Sequence, residues 1–180
     1  MNDLSLLQEL FGEKLIKSEI GDYGKSCIKL EEDKSEYSVT IQHTPEDIVA
    51  IKADSFPDLR EFFNCSSHTG QCKRADFVII ANKKLIFIEL SSSKKINKEV
   101  IQQLKGAQCV IEYCQSIGEN FYDHSFFKDY QSYFVSISHI GTHKRPSRSA
   151  KINNDSLDRL LKISVQSSIP FKKLYSETFV

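Results

Sequence analysis

Residues 74–90, RADFVIIANKKLIFIEL, constrain the fold more than any other stretch of the chain. Arg74–Ala81 and Lys84–Leu90 each hold a near-continuous apolar run, Phe77, Val78, Ile79, Ile80 and Leu85, Ile86, Phe87, Ile88. A strand with one wet face alternates apolar and polar residues, so runs like these predict strands covered on both faces. Only Asn82-Lys83 separates them, a two-residue link whose Asn tolerates positive φ, and the pair reads as a hairpin. Partners across that link have numbers summing to 165, which sets Asp76 opposite Glu89. Their Cβ atoms would lie about 5 Å apart on one face.

The rest of the chain supplies layers for this hairpin. Leu4, Leu7, Phe11 and Leu15, widened by Leu6, Leu10 and Ile16, predict an amphipathic helix over residues 3–16. Strand character at Cys27–Leu30, Glu36–Gln42 and Asp47–Lys52, interrupted by charged or Pro-containing turns, predicts an antiparallel meander. Phe56–Phe63 reads as a short helix with Ser55 as its N-cap, and Asn64–Gln71 as a polar loop. Val100, Ile101, Leu104, Ala107, Ile111 and Cys114 describe a long helix between Asn97 and Ile117. A strand over Ser132–Ile140, a loop over 141–156, a strand over Leu160–Val165 and a tail at Phe171–Tyr175 complete the order.

That order predicts an α/β fold (α+β mixed), a central mixed β-sheet flanked by helices. The 180 residues suit a single domain, 1–180, because a chain this long buries about 70% of its unfolded surface without staples. Within it, 1–55 form the N-terminal helix and meander, 56–140 the core with hairpin and helix, and 141–180 a loop and C-terminal strand.

The 24 basic and 24 acidic residues exclude a uniformly basic nucleic-acid coat, though not a local basic patch. No apolar run approaches the ~20 residues of a membrane span. The start mixes acids with its apolar residues and reads as a helix, not a signal peptide. Five cysteines without a secretion signal read as reduced thiols, so the expected setting is cytoplasmic. Cys65, His68 and Cys72 stand at zinc-like spacing but lack a fourth ligand, and read as loop thiols with a surface His. Phosphate-binding loops, dinucleotide turns and nucleophile elbows have no matching motif.

The chemistry therefore centres on Asp76 and Glu89. Two carboxylates so close on buried strands repel each other and lose solvation, which nothing in stability asks for. A divalent cation resolves the conflict, Mg2+ (or Mn2+), since such ions take one or two carboxylates and keep waters or phosphate oxygens. In the alternative reading the pair sits at a solvated rim, neutralised by Arg74, Lys73 or Lys94. A one-residue slip of the turn would send the two to opposite faces. Ser91 and its cross-strand partner Arg74 fall on the same face as the pair.

KRADFVIIANKKLIFIELSSSKK and EVIQQLKG, about a sixth of the chain, resemble the PD-(D/E)XK nuclease superfamily (restriction-endonuclease-like fold). The likeness lies in an Asp opening one strand, a tight hairpin, a strand ending Ile-Glu-Leu and a helix with a Gln-Leu pair. It implies an α-β-β-β-α-β core, here with extra N-terminal strands, and metal-dependent phosphodiester hydrolysis of nucleic acid. It also implies Asp76 and Glu89 as metal ligands, with Gln103 lining the site and a third carboxylate from the first helix, Glu9 or Glu13. Ala75 stands where the family's Pro would be, and Ser91 where its Lys would be. A Ser cannot do that lysine's electrostatic work; Lys94, Lys98 or Lys105 are alternative donors. Lys144, Arg145 and Arg148 in the loop HKRPSRSAK, together with Lys98, are candidate phosphate contacts. Nucleic acid, DNA first, is the implied partner. The alternative is a catalytically decayed module that binds nucleic acid or a protein partner. A homodimer or another protein is the further candidate partner on either reading.

Overall fold

A computed structural model describes residues 2–21, 24–32, 37–65, 69–91, 96–139, 153–165 and 167–175. Helix α1 (Asp3–Phe11) begins at Asn2, whose side chain accepts from the Ser5 N–H at 2.7 Å. It stops at Gly12, where φ is +53°. The apolar spacing runs on to Ile16, but the positive φ takes the chain out of the helix there. Leu15 is buried from the end of a 3-10 turn (Gly12–Lys14) instead.

Eleven elements follow α1 in chain order: β1 (Ile16–Lys17), β2 (Glu19–Ile20), β3 (Ser26–Glu32), β4 (Tyr37–Gln42), β5 (Val49–Lys52), β6 (Phe77–Ala81), β7 (Lys84–Ser91), α2 (Asn97–Tyr122), β8 (Gln131–His139), β9 (Leu161–Val165) and β10 (Ser168–Pro170). The strands form a six-stranded mixed sheet, β1-β5-β6-β7-β8-β9, and a four-stranded sheet, β10-β4-β3-β2. In the first, strands are antiparallel as far as β7; β8 and β9 are parallel to it. The long connection that a parallel neighbour requires between β7 and β8 contains α2.

The central mixed sheet is the expected one. Helices α1 and α2 cover one face, where Val78, Ile80, Leu85, Phe87 and Phe134 join Leu6, Leu7, Leu104 and Ile111. The other face is covered by the second sheet: Phe77, Ile79, Ile86, Ile88 and Val135 meet Ile28, Leu30, Val39 and Ile41. Both faces of β6 and β7 are buried, as their continuous apolar runs require.

Two local expectations are corrected. The meander over 27–52 is only a hairpin, β3 with β4, because β5 leaves to pair with β1 and β6. Val49, Ala50 and Ile51 are all buried, and a strand with two apolar faces needs a central position. The helix over 56–63 shrinks to one 3-10 turn (Leu59–Glu61), capped by Asp58, which accepts from the Arg60 N–H at 3.0 Å, and not by Ser55. Phe62 and Phe63 are exposed, so no core stabilises a longer helix.

The β6–β7 link has φ +48° at Asn82 and +58° at Lys83, the paired left-handed residues of a two-residue hairpin. Its register is unslipped, with Phe77 opposite Ile88 and Val78 opposite Phe87. At the other end of the chain β10 pairs parallel with β4. Buried Asn154 donates to the carbonyls of Phe134 and Leu174 at 3.2 and 2.9 Å. Among the described residues, no helix is long and apolar enough to cross a membrane.

Candidate functional site

One step beyond the last ladder pair, Phe77 and Ile88, the register reaches Asp76 and Glu89. Alternation along the strands puts both on the helix-covered face, with Val78 and Phe87 as their neighbours two residues away. Both are buried: Asp76 is 7% exposed and Glu89 0%. The Asp76 carboxylate accepts from the Leu90 N–H at 2.6 Å, a charge-assisted bond that pins the start of β6 against the end of β7. The Ala53 N–H donates to the Asp76 carbonyl at 2.8 Å and holds its backbone from the β5 side. Ser91, on the same face, is 4% exposed.

Helix α2 closes over this end of the hairpin. The Ala75 N–H donates to the Gln103 carbonyl at 2.7 Å. Gly106 comes so near that a Cβ there would sit 1.7 Å from the Lys73 oxygen. Gln103 thus rides on the turn that touches the residue before Asp76. Its side-chain oxygen is buried and has no hydrogen-bond partner among the described residues.

Two cations of the rim reading, Lys73 and Arg74, have other neighbours. Lys73 pairs with Glu99 at 3.3 Å. Arg74 lies over the Phe56 ring, 5.8 Å from its centroid, and its buried Nε and Nη1 have no hydrogen-bond partner among the described residues. Lys98 and Lys105 are exposed on α2. Lys94, Lys144, Arg145 and Arg148 lie outside the described residues.

The first helix does not bring Glu9 to Asp76. It packs at the other end of α2, where the Asp3 carboxylate meets His124 Nε2 at 2.7 Å and Glu9 lies beside Tyr122. Tyr122 lies nineteen positions beyond Gln103 on the helix, about 28 Å of rise.

The thiol reading is corrected at two positions. Cys65 and Cys72 form a disulfide with Cα atoms 5.8 Å apart, while Cys27, Cys109 and Cys114 are not disulfide-bonded. A bonded pair cannot ligate zinc as thiolates, and His68 between them lies outside the described residues.

The chain matches no protein-family model, no curated protein and no solved structure. Its chemistry therefore has to be argued from its own donors. No group of three or more His, Cys, Asp or Glu able to hold a metal occurs among the described residues. Asp76 and Glu89 offer oxygen donors, the ligand type of a hard divalent cation that keeps several waters. The sequence reading missed the neighbours on the parallel side. Ser136 is the register partner of Glu89 and of Lys162, and Ser138 that of Ser91 and of Ser164. No turn chemistry links β7 to β8 or β8 to β9, so nothing in the sequence reports that register.

Proposed function

We propose that the protein is a metal-dependent phosphodiesterase of nucleic acid, a PD-(D/E)XK-like nuclease, with Asp76 and Glu89 as ligands of Mg2+ (or Mn2+). The observation that carries the reading is the unslipped hairpin, which buries both carboxylates side by side under α2. Burying two like charges together opposes folding unless positive charge compensates. A bound divalent cation would supply that charge, lower the pKa of an attacking water and neutralise the phosphate oxyanion. In this reading the Leu90 N–H orients the Asp76 carboxylate, Gln103 contributes a neutral oxygen, and Lys94 or Lys98 supplies the ammonium that Ser91 lacks. Lys144, Arg145 and Arg148 would hold the backbone of the nucleic acid. A cytoplasmic setting belongs to the same proposal and makes the Cys65–Cys72 bond an exception among cytosolic proteins.

Asp76→Asn and Glu89→Gln keep the shape of each side chain and remove its charge. Each should abolish Mg2+-dependent cleavage of DNA or RNA, and retained cleavage in either variant would end the reading. A second readout needs no turnover. Mn2+ at a hundred times its dissociation constant should stabilise the wild type by about 2.7 kcal/mol and leave Asp76→Asn unshifted.

Ser91, buried in the lysine position, favours a second reading: a decayed site whose fold binds nucleic acid or a protein partner. A wild-type protein that binds nucleic acid but cleaves none with either metal would select it. Ser91→Lys raising the cleavage rate would select the first.

A further inference from the structure

The face of the central sheet that carries Glu89 continues past the helix layer. Along β8 this face is apolar at Phe134 and then turns to hydroxyls at Ser136 and Ser138. Along β9 it carries Lys162 and Ser164, both exposed, while Leu161, Ile163 and Val165 turn to the opposite core. The register aligns two rows across the carboxyl ends of three parallel strands, Glu89–Ser136–Lys162 and Ser91–Ser138–Ser164. Each row spans two strand spacings, about 10 Å.

We infer that this shelf is the track for the phosphodiester backbone on its way to the carboxylates, and that Lys162 is its anchoring cation. The inference rests on the nuclease reading and adds to it which surface grips the substrate, and how. Solvent-facing polarity on β9 alone would be the ordinary protection of an edge strand. Ser136 and Ser138 do not fit that explanation, since β8 lies inside the sheet, between β7 and β9.

The hydroxyls of β8 and β9 meet each other across the ladder. Ser138 Oγ lies 3.1 Å from Ser164 Oγ and donates to the Ile163 carbonyl at 3.4 Å; a ligand oxygen accepts from Ser164 when Ser138 turns its proton to Ser164. The Lys162 ammonium is steadied by the Asn97 side chain in the first turn of α2, with exposed Lys98 next along the chain. Ser136, Ser138, Lys162 and Ser164 include no acid and no ring. Hydroxyls and an ammonium are the groups that contact phosphate and sugar, whereas rings are what stack on bases. The carboxyl ends of parallel strands are also where open α/β sheets bind their ligands. The chemistry selects a nucleic-acid backbone gripped without regard to sequence.

The test is binding of fluorescent DNA and RNA oligonucleotides of several sequences, titrated with NaCl in Ca2+, alongside cleavage assays in Mg2+. Lys162→Ala should weaken binding about tenfold, equally across sequences, and reduce the slope of log K against log salt by about 1. Lys162→Arg should restore the slope. The double variant Ser138→Ala, Ser164→Ala should weaken binding with the slope unchanged. If all these variants bind as the wild type does while Asp76→Asn still abolishes cleavage, the shelf is overturned and the nuclease reading stands. If the wild type binds no oligonucleotide, both fall.

Discussion

Burial sorts the free cysteines by reactivity. Cys114, on the core side of α2, has its thiol pushed up to about 11 by desolvation, and Cys109, one turn earlier and exposed, is raised as well. Iodoacetamide on the native protein at pH 8 should therefore label Cys109 and spare Cys114, read by peptide mass spectrometry. The same burial gives a pH dependence of stability. An unfolded Cys114 ionises near 9, its ordinary value, and the folded one near 11, so between those values the unfolded state loses its proton first. The contribution is complete below pH 9 and lost as pH rises towards 11. Cys114→Ala should flatten that part of the denaturation midpoint profile; an unaltered slope would count against it. The pairing of Asp76 with Glu89 was legible at this scale because a two-residue turn fixes parity locally. The Gln103 contact with Ala75 was not, since it depends on where a helix lands after an intervening loop.

Elements meet most closely where α2 crosses the segment before β6. Gly106→Ala would gain about 1 kcal/mol of helix propensity. The methyl would also have to displace the Lys73 carbonyl, an overpacking cost of about 1–3 kcal/mol or more. We expect a net loss of stability in urea titrations and, at the proposed metal site, weaker Mn2+ binding because the backbone leading into Asp76 moves. At the hairpin, Lys83 holds φ +58° against its steric preference. Lys83→Gly should relieve about 1 kcal/mol and raise Tm by about 2–4 °C, less whatever the lysine gains over the Tyr130 ring. Strong strand runs and the long helix were readable because their patterns depend on burial alone. The shortened α1 was not, because one backbone angle at Gly12 takes Leu15 and Ile16 out of a helix that their spacing fits. The move of β5 out of the meander follows from its burial on both faces, which a four-residue strand is too short to signal.

On the scale of the whole molecule, the chain changes sheets three times: after β1, after β4 and after β9. These steps tie both cores into one folding unit. Asn154 is part of the tie, since its side chain joins the β8 backbone to that of Leu174. Asn154→Ala would leave two buried carbonyls short of a donor, about 1–3 kcal/mol each. A single denaturation transition shifted to lower urea is the expected outcome, and two separate transitions would refute the single unit. The mixed central sheet could be read from element order, but the sheet covering its second face could not. β10 joins β4 across more than a hundred residues, and long-range parallel pairing leaves no local mark. That closing strand also sets an order of events during synthesis. Ile169, Phe171 and Leu174 complete the second hydrophobic cluster, so a growing chain on the ribosome holds the β4 edge of that cluster open until translation has passed Leu174. A chaperone has that edge to hold in the interval between the synthesis of β8 and that of β10.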